Sequence, residues 1–521
     1  MMPRGLRALP ALGAGGNAGR VSEETVRARQ TGSGTEPTSE PTSEPESGPA
    51  YEPDPRRWRV LGVSLVIGFM ALLDVTIVNV ALPSIRAGLG TTPGTVQWMV
   101  SGYALAFGLT LVTGGRLGDA YGRRRLMLIG LGGFIAASAA VGIAPTVGWA
   151  IAARLVQGGA AGLLTPQNSG LIQQLFRGSE RARAFGFFGL TVSISSALGP
   201  VLGGVIIELA GAADGWRWIF LVNVPIGVVA MLAVRRMVPR RAPRAAGERR
   251  ERLDLVGAAL LGLAVVSLLL PLVSVEGGRR LPLLLLVLVA PLLVAFVAWE
   301  RRVGRRGEDP LLDVALLRRT PGYGNGLAVG SLYFTGFTGV FLVLSVFFQD
   351  ELGYSPLAAG LLLTPFALGS ALTAPLAGRL VSRIHRRITV IALVVMMAGV
   401  LAVALLVPGR GPDGLWLFLV PPLLVAGLGG GGVVSPNFTL SLAEVPPSMG
   451  GAAGGALQTG QRIGASIGAA LLMTVYQLTL GTTHTSGRAL EYALLTALAV
   501  LAVALAMAVR ALRDERLAAG G

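Results

Sequence analysis

The stretch Leu72-Leu73-Asp74-Val75-Thr76-Ile77-Val78-Asn79-Val80-Ala81-Leu82-Pro83 decides the fold of this chain. It lies in the first of fourteen apolar runs of roughly twenty residues each. A helix of about 20 apolar residues crosses a hydrocarbon core ~30 Å thick. An Asp near the centre of such a helix costs about 2.5–3.5 kcal/mol to insert, so a carboxylate kept there is a functional-site candidate by default. The pattern predicts an all-α polytopic membrane protein that moves a solute.

The predicted spans fall near 60–82, 96–115, 126–144, 147–175, 184–208, 217–234, 255–275, 281–299, 324–348, 357–378, 388–407, 415–442, 450–478 and 489–509. Composition agrees, with 52% hydrophobic residues and 14% charged in 521, beyond what a soluble domain of this length tolerates. The chain has no Cys and only His385 and His484, so disulfides, thiolate metal sites and metalloenzyme chemistry are not expected. All 44 basic residues are Arg. A phosphate-binding loop of the GxxxxGK[ST] type needs its Lys, so ATP hydrolysis is excluded.

The net charge of +16 is an orientation signal. Arginines crowd alternate loops: Arg123 to Arg125, Arg177 to Arg183, Arg235 to Arg252, Arg301 to Arg319, Arg379 to Arg387, and both flanks of the bundle. The opposite loops hold only Arg86, Arg217, Arg279, Arg280, Arg410 and Arg488. By the positive-inside rule both termini are cytoplasmic and the protein sits in the cytoplasmic membrane, drawn to anionic lipid. No soluble basic face exists for nucleic acid.

Residues 1–56 are polar and repeat Glu-Pro-Thr-Ser; they cannot offset their ordering entropy and are expected to form a disordered cytoplasmic tail. A long-range repeat organises the rest. Gly159 to Asn168 (GAAGLLTPQN) matches Gly429 to Asn437 (GGGGVVSPN), and Gly115 to Arg125 echoes Gly378 to Arg387. These offsets map spans 1–6 onto spans 9–14. Two six-helix halves are expected at 57–240 and 320–510, with a basic linker and two inserted helices at 241–319 and a tail at 511–521. Such parallel repeats place a substrate site at the midplane between the halves.

These residues resemble the major facilitator superfamily, in its fourteen-span drug:proton antiporter branch, over about residues 58–515. Gly115-x-Leu117-Gly118-Asp119-x-x-Gly122-Arg123-Arg124 matches the superfamily's cytoplasmic gating loop. The resemblance implies that this loop latches the two halves and breaks as the transporter rocks; Gly122 permits its tight turn. The second-half copy has Ser382 and His385 where Asp and Gly would stand, so a weaker, uncharged latch is expected there. Arg154-x-x-Gln157-Gly158-x-x-Ala161 in span 4 is similar to the proton-linked arginine motif, with all four positions on one helical face. Span 5 carries Gly199-Pro200-x-x-Gly203-Gly204 in the spacing of the antiporter motif. Pro200 has no N–H for the carbonyl of Ser196 and is expected to kink the helix. The stretch around Asp74 and Trp216 to Gly227 (WRWIFLVNVPIG) resemble the fourteen-span branch.

The major facilitator fold is therefore expected, with 14 helices as 6+2+6, and a monomer that uses the proton motive force without a cofactor. Asp74 is the candidate proton carrier: burial favours its protonated form and a nearby Arg154 its carboxylate, so alternate exposure can load and unload a proton. One proton crossing ~100 mV releases about 2.3 kcal/mol, enough to hold a neutral solute at roughly a fiftyfold gradient. With one central carboxylate, the exported small molecule is expected to be a neutral, monocationic or zwitterionic amphipath. Asn79, Tyr103, Phe107, Gln157, Phe334, Phe337, Phe341, Gln458 and Arg462 are candidates for its cavity. Arg462 either meets an anionic group on the substrate or pairs across the bundle, and the aromatics have ordinary packing as their plainer reading. An importer or uniporter, and a non-transporting membrane sensor, are the alternatives; no acid-base pair or nucleophile motif in the spans supports an enzyme.

Overall fold

The computed structural model describes residues 54–520, save 212–213, 241–253, 277–280, 307, 309 and 313–315. The expected disordered tail, apart from its last residues, and the basic linker lie outside the described residues, as do the side chains of Asn79 and Pro200 within their helices. The chain forms α1 (Arg57–Leu89), α2 (Pro93–Tyr121), α3 (Arg123–Gly142), α4 (Val147–Leu175), α5 (Gly178–Ala210), α6 (Gly215–Leu221), α7 (Asn223–Met237) and α8 (Leu255–Glu276). It continues with α9 (Leu286–Arg305), α10 (Leu316–Arg319), α11 (Pro321–Val346), α12 (Pro356–Ile384), α13 (Arg387–Leu406), α14 (Leu415–Ser441), α15 (Gly450–Thr483) and α16 (Ser486–Gly520). No strand occurs among the described residues.

Local chemistry sets several boundaries. Pro93 opens α2 behind Thr92, whose Oγ1 accepts from Thr95 N at 3.3 Å; Ser355 and Pro356 repeat the device before α12, and Thr146 caps α4. Each cap satisfies one of the orphan donors of a first helical turn. Gly90, at φ +58°, ends α1.

Among the described residues, twelve helical segments are long and apolar enough to cross a membrane, with α6 and α7 together forming one of them. α5 is bent by 42° between Gly178–Ser196 and Val201–Ala210, and counts as one further span if the bent pair is continuous. The bend falls at Gly199-Pro200, where the helix loses a backbone donor. α8 supplies only a shorter apolar helix, Leu255–Pro271. Twelve is therefore the count supported by length and apolarity, against the fourteen expected from sequence.

Helix pairing repeats along the chain. α2 packs on α4 as α12 packs on α14; α3 on α4 as α13 on α14; α1 on α5 as α11 on α15. Asn168 and Asn437, matched in the sequence repeat, occupy equivalent seats. Asn168 Oδ1 accepts from Ser64 on α1, and Asn437 Nδ2 donates to Gly326 O on α11 at 3.0 Å. Across the two sets, α5 packs on α12 and α2 on α15. α8 rests on α2 and α15, and α9 packs mainly on α8.

Glycines let these helices touch. A Cβ on Gly158 would stand 2.3 Å from Tyr103 O, and one on Gly162 2.6 Å from Phe107 O, so the small strip following Arg154 seats α2 directly against α4. Gly464 and Gly468 play the same part for α15, with Ser331 O and Thr335 O of α11 as close neighbours.

Candidate functional site

Asp74, halfway along α1, is 1% exposed, as is Arg154 on α4, and the two form an ion pair. A charge taken out of water must be paired and its remaining valences hydrogen-bonded, and further hydrogen bonds hold this pair. Gln157 Nε2 donates to Asp74 Oδ1 at 3.0 Å and Asn223 Nδ2 to the same oxygen at 3.2 Å. Arg154 Nε donates to Met99 O at 2.9 Å, and its Nη1 also donates to Gln157 Oε1 at 2.8 Å. Gln157 Nε2 lies 2.7 Å from Ser138 Oγ as well. Four helices, α1, α3, α4 and α7, thus contribute polar side chains to one buried network. Arg154, one turn before Gln157 on a shared face, reaches Asp74 from within the bundle, so it does not extend to a membrane surface.

Two aromatic rings complete the enclosure. The Arg154 guanidinium lies 4.1 Å from the ring centroid of Tyr103 and 5.4 Å from that of Phe220. Tyr103 Oη donates to Ala71 O at 3.0 Å, which turns the ring face toward the guanidinium. Phe107 follows one turn later, its centroid 5.8 Å from that of Tyr103. Tyr103 and Gln157, expected on a cavity wall, therefore form part of the cage around the ion pair. Two residues beyond Asp74, Thr76 Oγ1 donates to Ser195 O on α5 at 3.1 Å, and a Cβ on Gly199 would lie 2.0 Å from that same hydroxyl oxygen. The carboxylate stretch and the kinked helix meet at this point. Gly203 is buried, and a Cβ on Gly204 would stand 2.9 Å from the side chain of Leu357 on α12.

The gating loop lies at the other end of α2, beside the beginnings of α3 and α15. Asp119 accepts from Arg123 Nη2 at 2.5 Å, from Gly451 N at 3.2 Å and from Ala452 N at 2.9 Å. Gly451 and Ala452 belong to the first turn of α15, whose unpaired N–H groups and positive dipole end suit a carboxylate. Arg123 also donates to Pro447 O at 3.1 Å. Beside it, Gln173 Nε2 donates to Leu442 O at 2.8 Å and Arg181 Nη1 to Gln173 Oε1 at 2.9 Å. Gly115 faces Gly451, where a Cβ would come within 2.2 Å of the Gly451 carbonyl oxygen. Gly122 takes the turn at φ +96°. Arg124 turns away from this cluster and donates to Arg235 O at the end of α7. In the second-half copy, Ser382 makes a local bond to Arg379 O, and His385 takes the glycine position at φ +46°.

Phe334, Phe337 and Phe341 are half-buried on α11 and stack into a cluster with Tyr333 and with Phe366 of α12. Arg462 lies with its guanidinium 4.6 Å from the Phe107 centroid. Gln458 is buried one turn before it. Asn223, Ser138 and the Gly451–Ala452 amides were not singled out from sequence. Asn223 sits within the quoted WRWIFLVNVPIG, where a lone polar residue in an apolar run was the available signal.

Residues 64–469 match the Major Facilitator Superfamily. The chain is 40% identical over 439 residues to the "Probable actinorhodin transporter" of Streptomyces coelicolor, covering 83% of this chain and 75% of that protein. It is 38% identical to the "Puromycin resistance protein pur8" of Streptomyces alboniger, over 81% of this chain and 82% of that one. Among solved structures, the human organic anion transporter MFSD10 (TETRAN) superposes with a TM-score of 0.65 at 18% identity, covering 87% of this chain and all of the other. At that identity the likeness concerns the fold alone.

Proposed function

The chain belongs to the Major Facilitator Superfamily and is a membrane transporter, not an enzyme; from that premise we propose that it is a proton-coupled antiporter exporting small amphipathic compounds by alternating access. The observation that carries the reading is the buried Asp74–Arg154 pair with its hydrogen-bonded cage. The relatives' names, one a probable actinorhodin transporter and one a puromycin resistance protein, support export over uptake. The organisation proposed is six plus two plus six spans, with α8 and α9 inserted between the halves, supported by the repeated pairing of helices. The proposed protein is a monomer in the cytoplasmic membrane with both termini inside, driven by the proton motive force.

The proposed cycle uses the contacts in sequence. Protonation of Asp74 removes the counter-charge of Arg154, which then depends on Gln157 Oε1 and Met99 O. A guanidinium so enclosed is costly without its partner, so the protonated state favours an arrangement in which Arg154 meets water or substrate. Movement of α1 is felt by α5 through Thr76 and Ser195. α5 in turn meets α12 through Ser193 and Ser370, whose hydroxyls lie 2.7 Å apart. Opening at the end near the termini requires Asp119 to leave the first turn of α15. Proton and substrate are exchanged because each favours one of two packings of the same helices.

The test uses inside-out membrane vesicles with an acidified lumen and a pH-sensitive dye, titrated with amphipathic compounds of each charge type. Export by antiport predicts dye recovery with some compounds in vesicles carrying the protein and none in vesicles without it. Compound movement that leaves the lumenal pH unchanged would contradict proton coupling and leave a uniporter.

A further inference from the structure

Arg462 brings a positive charge into the bundle that no carboxylate balances. It projects from α15 over Phe107 of α2, and among the described residues it makes no hydrogen bond or ion pair. One turn earlier on the same face, Gln458 is 6% exposed and its Nε2 has no acceptor among the described residues. Asp74 cannot serve either group, being held by Arg154, Gln157 and Asn223. A buried amide donor without an acceptor costs stability wherever it is retained, and the half-buried guanidinium beside it has no counter-charge among the described residues. The face of Phe107 offsets only part of that cost.

We propose that the exported compound carries an acidic group, a carboxylate or an ionised phenol, that binds Arg462 with Gln458 Nε2 as the second donor. The guanidinium fork suits a planar oxyanion. This rests on the export reading and gives it a substrate class. It also removes the basis for expecting a monocation, because the carboxylate on which that expectation stood is already paired. Position makes Arg462 useful to transport. α2 and α15 belong to opposite halves of the chain, so a ligand at their junction bears on the contact that opens. The rings of Phe107 and Tyr103, 5.8 Å apart, connect Arg462 to Arg154, which lies 4.1 Å from Tyr103.

The experiment uses the full chain in proteoliposomes with an imposed pH gradient and three probes of one shape: anthracene-9-carboxylate, the neutral anthracene-9-carboxamide and the cationic 9-(aminomethyl)anthracene. Wild type is expected to move the carboxylate at least about tenfold faster than either analogue. Arg462→Gln abolishes that preference, Arg462→Lys keeps part of it, and Gln458→Leu lowers carboxylate transport several-fold, with thermal melting of each variant showing that it is folded. A purely structural role for Arg462 would instead lower movement of all three probes together and leave their ratio unchanged, which overturns the proposal. So would a wild type that moves the amide or amine as fast as the acid; export would still stand. If wild type moves none of the three, the export reading itself fails and the substrate class falls with it.

Discussion

A carboxylate and a guanidinium enclosed among four helices act as one unit, and removing one leaves the charge of the other uncompensated. Replacing one partner of a buried pair strands the other charge, at a cost of about 3–5 kcal/mol. Asp74→Leu is therefore expected to lower thermal stability by about that amount, and the double change Asp74→Leu with Arg154→Met to recover most of it; melting of the purified proteins completes the cycle. Additive losses would show that the pair does not couple. Sequence alone marked both residues, because ionisable groups in apolar runs stand out, but their contact depended on how α1 and α4 turn toward each other. Asn223 and Ser138 escaped notice for the opposite reason: a single uncharged polar residue in an apolar helix costs little and carries no spacing signature. The side chain of Asn79, equally polar, lies outside the described residues.

At the level of elements, two positions test how helix ends hold the closed face. Asp119 joins α2 to the first turn of α15 through two backbone N–H groups, and an anion at a helix N-terminus is worth roughly 0.3–2 kcal/mol. Asp119→Asn should loosen that junction. Because the chain has no Cys, a single Ser169→Cys reports on it: Ser169 is 1% exposed and sits under Gly454 of α15. Maleimide labelling there is expected to run several-fold faster with Asp119→Asn, and an unchanged rate would show that the contact does not hold the halves together. His385 occupies a glycine's backbone conformation, φ +46° and ψ −132°, at a cost of about 1–2 kcal/mol. His385→Gly should raise stability by about 1 kcal/mol, read by thermal melting. The gating motif's glycines and Asp were legible because they must stand in register; their receptor was not, since backbone amides of a Gly-Gly start look the same in any helix.

Over the whole molecule, the sequence repeat anticipated the recurring helix pairs, and matched residues such as Asn168 and Asn437 take matching places. Helix number was less legible. An apolar run signals burial in lipid or protein, and a run bent at Gly199-Pro200 satisfies the composition of a span without its straight length. α8 leans on α2 and α15, the helices whose junction carries Arg462, and α9 packs mainly on α8. The central claim is that Asp74 carries the coupled proton. The most direct test compares, in proteoliposomes with one transported compound, exchange of labelled for unlabelled compound and accumulation driven by a pH gradient, for wild type and Asp74→Asn. The account predicts that the variant keeps exchange within a few-fold of wild type and loses gradient-driven accumulation; accumulation equal to wild type would contradict it and move the proton elsewhere.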